Sequence, residues 1–189
     1  MVHRGRIGSA RAGETGEPGA PARRSPSMTA LPASGSFVLF GLPLHPLLVH
    51  ATVILTPLTA LAVALTALWP AARRRLGLAP PIAAALVAIL VPVTVLAGLD
   101  LAARVGSTPA IQRHEALGLM LIPWSIALLL AAAAVQLRER ITTRIRRPSV
   151  AAAVSISIAV VAVACALGVT VVVVLTGEAG ARAVWGGIA

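Results

Sequence analysis

Four long, almost uncharged stretches limit how this chain folds more than any other feature of its sequence. They lie at about residues 44–69, 81–101, 115–137 and 150–175. A helix needs roughly 20 apolar residues to cross ~30 Å of hydrocarbon, and each stretch is long enough. Lipid offers no partner to bare backbone groups, and the stretches show no strand-like alternation, so each is expected to be a helix. The sequence therefore predicts an all-α fold, an integral membrane four-helix bundle.

The N-terminal segment differs in composition from the rest of the chain. Residues 1–36 are rich in Gly, Ala, Pro, Ser and Arg and have no apolar periodicity. Such a composition cannot bury enough apolar surface to offset chain entropy. We predict a disordered basic tail over 1–36 and a four-span transmembrane domain over 37–189. The sequence does not distinguish a translation start at Met1 from one at Met28.

The arginines predict how the bundle is threaded through the membrane. All 16 basic residues are Arg, against 6 acidic residues, which gives a net charge of +10. Loops one and three between the spans carry most of the spanning domain's arginines: Arg73, Arg74, Arg75, Arg138, Arg140, Arg144, Arg146 and Arg147. The positive-inside rule then predicts that both loops are cytoplasmic and both termini external, in the plasma (inner) membrane. Charge placed between spans favours the lipid bilayer as partner and argues against nucleic acid.

The unusual polar residues of the spanning domain are predicted to meet at one membrane face. In an up-and-down bundle, the starts of spans one and three and the ends of spans two and four lie on the same side. Those places hold His45, His50, Asp100, Arg104, His114, Glu115, Glu178 and Arg182. Ionisable groups at this depth are costly and usually pair or surround a site. The predicted histidine face is external, by the arginine count.

Three histidines at one face are candidate ligands for haem b or a transition metal. Neutral imidazole nitrogen is a donor for iron, copper and zinc, and a bis-histidine haem would take one ligand from span one and one from span three, for example His50 and His114. His45 and His50 lie about 140° apart on a regular helix, so only one can point inward unless His45 precedes the helix. The alternatives are that the histidines cap or join helix ends, or that they transfer protons.

The acidic residues of this face have a simpler reading. Asp100 and Arg104, like Glu178 and Arg182, are spaced for an ion pair between residues i and i+4 of a helix. A carboxylate beside a histidine could instead fix the tautomer of a metal ligand. One cysteine, Cys165, excludes an intramolecular disulfide. No nucleophile with its base and no nucleotide-binding motif is present, and the sequence leaves open whether the protein is an enzyme.

Several segments together resemble a known family. These are GLPLHPLLVH at the start of span one, AGLD at the end of span two, the region of His114 and the closing GEAGARAVWGG. They are similar to the bacterial membrane proteins of domain of unknown function 2231 (DUF2231) over residues 41 to about 187. The resemblance implies a four-span membrane protein without an established activity. The family's closing motif is similar to G-H-S-G-A followed by tryptophan, and Glu178 stands at its histidine position.

Two hypotheses of function follow. Some relatives in the family that the chain resembles are joined to Rieske-type iron-sulfur domains, which favours a redox or electron-transfer role with haem or metal at the histidines. One cysteine cannot build such a cluster in this chain, so the electron partner would be a separate protein or membrane complex. The competing hypothesis is a non-enzymatic structural or transport-related membrane component without a cofactor.

Overall fold

The structure, a computed structural model, describes residues 37–186 and is dominated by helices. The helices are α1 (Leu44–Leu68), α2 (Pro70–Leu76), α3 (Ala79–Val105), α4 (Pro109–Thr142) and α5 (Pro148–Trp185), preceded by strands β1 (Val38–Leu39) and β2 (Leu42–Pro43). Four of the helices, α1, α3, α4 and α5, are long and apolar enough to cross a membrane. The prediction of an all-α four-helix bundle is therefore confirmed. The disordered tail predicted for residues 1–36 lies outside the described residues.

Proline and glycine residues determine where the helices begin and end. Proline stands at the first position of α2, α4 and α5, where its fixed φ suits a helix and its missing N–H costs nothing. The side chain of Thr108 caps α4 by accepting a hydrogen bond from the backbone N–H of Ile111. Gly106 follows α3 with a φ of 89°, a conformation that glycine adopts without strain. Helices α3, α4 and α5 extend beyond their uncharged stretches because polar residues continue them, whereas α1 ends within its stretch.

A small hairpin leads the chain into α1. Strands β1 and β2 pair antiparallel, with Val38 opposite Pro43. Phe40 and Gly41 form the turn with φ of 51° and 80°, the positive pair that a two-residue hairpin turn requires. Pro43 then directly precedes the helix, which begins at Leu44. The segment GLPLHP is thus a turn and a helix start, and it places His45 in the first turn of α1.

The bundle interior consists of small and hydroxyl residues, and the large apolar side chains point outward. Ala, Val, Thr and Ser account for most of the buried positions, with only two leucines, Leu121 and Leu128, among them. Leu58, Ile89 and Val160 are among the many large residues that are more than half exposed. Small residues let helix backbones approach closely, whereas an apolar exterior suits lipid. Packing therefore agrees with contact between these helices and a bilayer.

The two halves of the bundle repeat one another. When His45 of α1 is aligned with His114 of α4, five buried positions coincide: Thr52, Thr56, Thr59, Val63 and Thr66 with Leu121, Ser125, Leu128, Ala132 and Val135. When Thr94 of α3 is aligned with Thr176 of α5, another five coincide: Pro80, Ala84, Val87, Val91 and Ala97 with Ala162, Ala166, Val169, Val173 and Ala179. Helices α1 and α4 each pack against both α3 and α5. The bundle therefore has the pattern of two similar helical hairpins in approximate two-fold repetition.

Candidate functional site: a histidine pair at one end of the bundle

The first turns of α1 and α4 and the last turns of α3 and α5 form one end of the bundle, which we call the histidine end. Within the described residues it carries three carboxylates and three arginines in addition to His45, His50 and His114: Asp100, Glu115, Glu178, Arg104, Arg113 and Arg182. Its formal charge from acids and arginines is therefore balanced. Among residues 37–186, the opposite end has no histidine.

His45 joins α1 to α3. Its Nδ1 atom lies 3.0 Å from the backbone carbonyl oxygen of Thr94, and since a carbonyl only accepts, Nδ1 carries the proton and donates. The ring rests against Gly98, one helical turn further along α3. A Cβ atom at Gly98 would lie 2.8 Å from Cε1 and 2.9 Å from Nδ1 of His45, so no larger residue fits there without movement. Glycine at this position makes room for the imidazole.

His114 joins α4 to α5 in the same way. Its Nδ1 atom donates to the backbone carbonyl oxygen of Thr176 at 2.9 Å. The ring rests against Gly180, where a Cβ atom would lie 3.0 Å from Cε1 and 3.1 Å from Nδ1. Each helical hairpin therefore contains the same arrangement. A histidine in the first turn of its first helix donates to a threonine carbonyl near the end of its second helix, and the imidazole ring packs against a glycine one turn further on.

A short sequence motif accompanies this arrangement, and it is absent from the predictions made from the sequence. The second helix of each hairpin contains Thr-x-x-Ala-Gly, as TVLAG at residues 94–98 and as TGEAG at residues 176–180. Threonine supplies the carbonyl, glycine supplies the space for the ring, and the alanines between them, Ala97 and Ala179, are buried. Comparing the ends of spans two and four with each other would have exposed the motif.

The two anchored imidazoles lie next to each other. The ring centroids of His45 and His114 are 6.0 Å apart, and the ring planes are inclined at 80°. Both rings are partly buried. Because Nδ1 of each neutral ring holds the proton, the lone pair of each ring is on Nε2. The bundle thus presents two oriented imidazoles, each with an acceptor nitrogen, between diagonally opposed helices.

His50 does not join this pair. It is exposed, and its Nδ1 atom donates at 2.6 Å to the backbone carbonyl oxygen of Pro46 in the same helix. Helix α1 begins at Leu44, so both His45 and His50 are helical and lie on different faces, as their spacing requires. His45, not His50, is the α1 histidine that approaches His114.

Asp100 and Glu178 pair with arginines of their own helices, whereas Glu115 forms no ion pair among the described residues. Arg104 donates to Asp100 at 2.8 Å, and Arg182 donates to Glu178 at 2.6 Å. Each pair joins residues i and i+4, and the Arg182 and Glu178 side chains are 71% and 49% exposed. Exposed pairs of this kind add little to stability. Both pairs neutralise charge at the ends of α3 and α5.

Comparison with protein families identifies the chain's relatives. A family model described as predicted membrane protein (DUF2231) matches residues 41–187. The chain belongs to the DUF2231 family. Neither the curated proteins nor the solved structures contain a match. The matched region begins in the β1–β2 turn and takes in His45, His114 and both Thr-x-x-Ala-Gly motifs.

In this DUF2231 chain a hydroxyl network lies directly beneath His45. Thr94 donates its hydroxyl to the carbonyl of Leu90 at 2.8 Å, so the 2.9 Å contact between the Thr52 and Thr94 hydroxyls has Thr52 as donor. One turn deeper, Thr56 is fully buried, and its hydroxyl has no hydrogen-bond partner among the described residues. The α1 threonines Thr52, Thr56, Thr59 and Thr66 are thus buried in the bundle interior, and Thr52 links α1 to α3.

The donor set at the histidine end limits what it could hold. Residues 37–186 contain no group of three His, Cys, Asp or Glu side chains arranged around one ion. A small cavity of about 10 Å³, room for one water, lies nearby between the hairpin and the end of α3, where Phe37, Ala97 and Asp100 are among its lining residues. The DUF2231 chain therefore offers two donor atoms to a metal, Nε2 of His45 and Nε2 of His114. Any further ligand of that metal would come from a cofactor or from water.

Proposed function

We propose that this protein is a membrane electron-transfer component in which His45 and His114 together ligate one metal centre, a haem iron or another transition metal ion. The observation that carries the proposal is the pair of imidazoles, each anchored through Nδ1, with ring centroids 6.0 Å apart. Histidines that bind metals almost always donate their other ring N–H to a carboxylate or carbonyl. Both members of the pair meet that condition without help from a ligand.

The separation of the rings supports a shared metal. Metal–nitrogen bonds of about 2.0 Å require two ligating rings to lie within a few ångströms of the same ion, and centroids 6.0 Å apart are compatible with that requirement. His45 and His114 would be the residues that hold the metal. Two imidazoles would be a complete protein donor set for haem iron, because the porphyrin supplies the remaining ligands.

Haem or a redox-active ion would supply one-electron transfer when bound. The chain's own residues would orient the ligands: Thr94 and Thr176 fix the tautomers, while Gly98 and Gly180 set the positions of the rings. The donor or acceptor would be a separate protein, reached at the membrane face where the pair lies. The arginine count supports an external position for this face, with loops one and three in the cytoplasm.

A second candidate function is a structural or transport-related membrane component without a cofactor. It is supported by the fit of each imidazole over its glycine, because the rings then act as fasteners between helix ends. Interhelical hydrogen bonds in membranes contribute on average ~0.6 kcal/mol and up to about 1.7 kcal/mol. Under this proposal, His45 and His114 stabilise the two hairpins and bind nothing through Nε2.

One set of measurements on the detergent-purified protein decides between the two. The absorbance spectrum and the bound-metal content would be recorded as isolated and after titration with hemin, Cu²⁺ or Zn²⁺, for the wild type and three variants, His45→Ala, His114→Ala and His50→Ala. Helicity and thermal unfolding of each sample would be followed in parallel. His50→Ala is the matched control because it removes an exposed imidazole from the same helix.

We expect a stoichiometric Soret band or bound metal that His45→Ala and His114→Ala each abolish and His50→Ala retains. A folded wild type that takes up neither hemin nor metal would overturn the proposal, and in that case lower unfolding temperatures of the first two variants would support the fastener role. Equal loss of binding in all three variants would also contradict it, since adventitious surface histidines would then explain the binding.

A further inference from the structure

The end of the bundle opposite the histidines carries a large unbalanced positive charge. We call it the arginine end, and it comprises α2, the last turns of α4 and the loop that leads into α5. It contains Arg73, Arg74, Arg75, Arg138, Arg140, Arg144, Arg146 and Arg147. Its only carboxylate within residues 37–186 is Glu139, and neither ion pair of the described residues lies here. Anions from outside residues 37–186 are therefore needed to balance this surface.

Arg73 is the least satisfied of these arginines. It lies in the middle of α2, and unlike its exposed neighbours Arg74 and Arg75 it is partly buried. Its Nη1 atom is buried and has no hydrogen-bond partner among the described residues. A buried, unpaired donor on a cation is costly, because it has lost water without gaining an acceptor.

Arg138 approaches the same place from α4. Its Nη1 atom donates at 3.0 Å to the backbone carbonyl oxygen of Ala67, which binds α4 to the last turn of α1. Arg73 follows on the short helix that begins at Pro70, immediately after α1. Both arginines therefore lie beside the end of α1, where their like charges repel. Two neighbouring cations, one of them with an unpaired buried donor, would be stabilised by an anion.

We propose that Arg73 and Arg138 bind the phosphate of an anionic phospholipid at the membrane surface. Guanidinium groups bind phosphate through charge-assisted and often bidentate hydrogen bonds, and basic pockets between spanning helices take lipid headgroups. Because Nη1 of Arg73 is buried, the Arg73 side chain turns toward the headgroup when the lipid binds, so that its guanidinium donates to the phosphate while the phosphate balances the charge of Arg138. This site is independent of the histidine pair at the other end of the bundle.

The surroundings favour a lipid over free phosphate. Arg73 lies just after the apolar helix α1, whose last residue, Leu68, is 67% exposed, and Trp69 beside it is 61% exposed. Tryptophan at the end of a spanning helix is typical of the headgroup level of a bilayer. A headgroup phosphate bound here would have its acyl chains alongside the exposed apolar face of α1, a contact that inorganic phosphate cannot make.

The test compares two arginines of the same helix. Full-length protein would be purified in a neutral detergent and titrated with phosphatidylglycerol or phosphatidylcholine, and bound lipid would be counted by native mass spectrometry. The variants are Arg73→Gln and Arg138→Gln, with Arg74→Gln as the control that removes the same charge from an exposed position. Inorganic phosphate would be titrated separately, with the unfolding temperature as readout.

We expect one phosphatidylglycerol molecule to bind the wild type and Arg74→Gln with similar affinity, and Arg73→Gln to bind about tenfold more weakly, the effect of losing one charge-assisted hydrogen bond. If Arg138→Gln unfolds on purification, Arg73→Gln alone carries the test. An equal loss in Arg74→Gln would show that general charge attraction suffices and would overturn the site. Equal protection by inorganic phosphate, or equal binding of phosphatidylcholine, would overturn its assignment to an anionic lipid.

Discussion

Replacing Gly98 with alanine tests the contact on which the position of His45 depends. A Cβ atom there would lie 2.8 Å from Cε1 and 2.9 Å from Nδ1 of His45. The imidazole would have to move away from α3, and its 3.0 Å hydrogen bond to Thr94 would lengthen or break. The substitution therefore acts on His45 without changing any donor or charge.

The expected cost follows from three effects. Overpacking a close contact costs about 1–3 kcal/mol, and the lost interhelical hydrogen bond about 1 kcal/mol. Alanine favours the helix over glycine by about 1 kcal/mol, which offsets part of that loss. We expect Gly98→Ala to lower the free energy of unfolding by about 1–3 kcal/mol. Gly180→Ala should cost less, because its Cβ would lie 3.0 Å from the nearest atom of His114.

Reversible unfolding in mixed micelles of neutral detergent and sodium dodecyl sulfate, followed by circular dichroism, measures this difference. The matched control is Gly177→Ala in α5, where a Cβ atom would meet nothing within 4 Å. The control should be neutral or stabilised by up to about 1 kcal/mol. Gly98→Ala as stable as Gly177→Ala would refute the reasoning, since the imidazole could then lie elsewhere at no cost.

Three further outcomes are expected. Gly168→Ala should be more disruptive than Gly98→Ala in the same unfolding assay, because the indole of Trp124 occupies the space that the new Cβ would need; an unchanged stability would contradict the packing of α4 on α5. Thr52→Val should lower the free energy of unfolding by about 0.5–1.5 kcal/mol, since the 2.9 Å hydrogen bond to Thr94 is lost, and prior replacement of Thr94 by valine should remove most of that effect. Of two reporter enzymes inserted at residues 143–147, one active only in the cytoplasm and one active only outside the membrane, we expect only the first to be active. Activity of the second would contradict the predicted orientation.

The number and type of the main elements could be predicted from the sequence because length and polarity alone decide them. A run such as 150–175 has no alternative to a membrane helix once the cost of unpaired backbone in lipid is considered. The short helix α2 and the β1–β2 hairpin were not foreseen. Both depend on local dihedral preferences, at Pro70 in one case and at Phe40 and Gly41 in the other, which are too weak to read from one sequence.

The candidate site was predictable only to the level of a bundle end. Up-and-down topology requires His45 and His114 to lie at one end, whatever their side chains do. The choice between His45 and His50 depends on where α1 begins, and a shift of one or two residues rotates each side chain by about 100° or more. The hydrogen bonds to the carbonyls of Thr94 and Thr176 could not be predicted, because every residue has a backbone carbonyl whatever its type. The only sequence feature related to them is the glycine repeated at positions 98 and 180.

The two helical hairpins differ in one respect that would affect any ligand bound between the histidines. Beneath His45 the inward positions are hydroxyls, at Thr52 and Thr59, whereas the matching positions beneath His114 are leucines, Leu121 and Leu128. The two histidines present equivalent nitrogens, but the side chains beneath them are polar on the α1 side and apolar on the α4 side. A ligand bound between the two histidines would therefore meet hydroxyls on the α1 side and hydrocarbon on the α4 side.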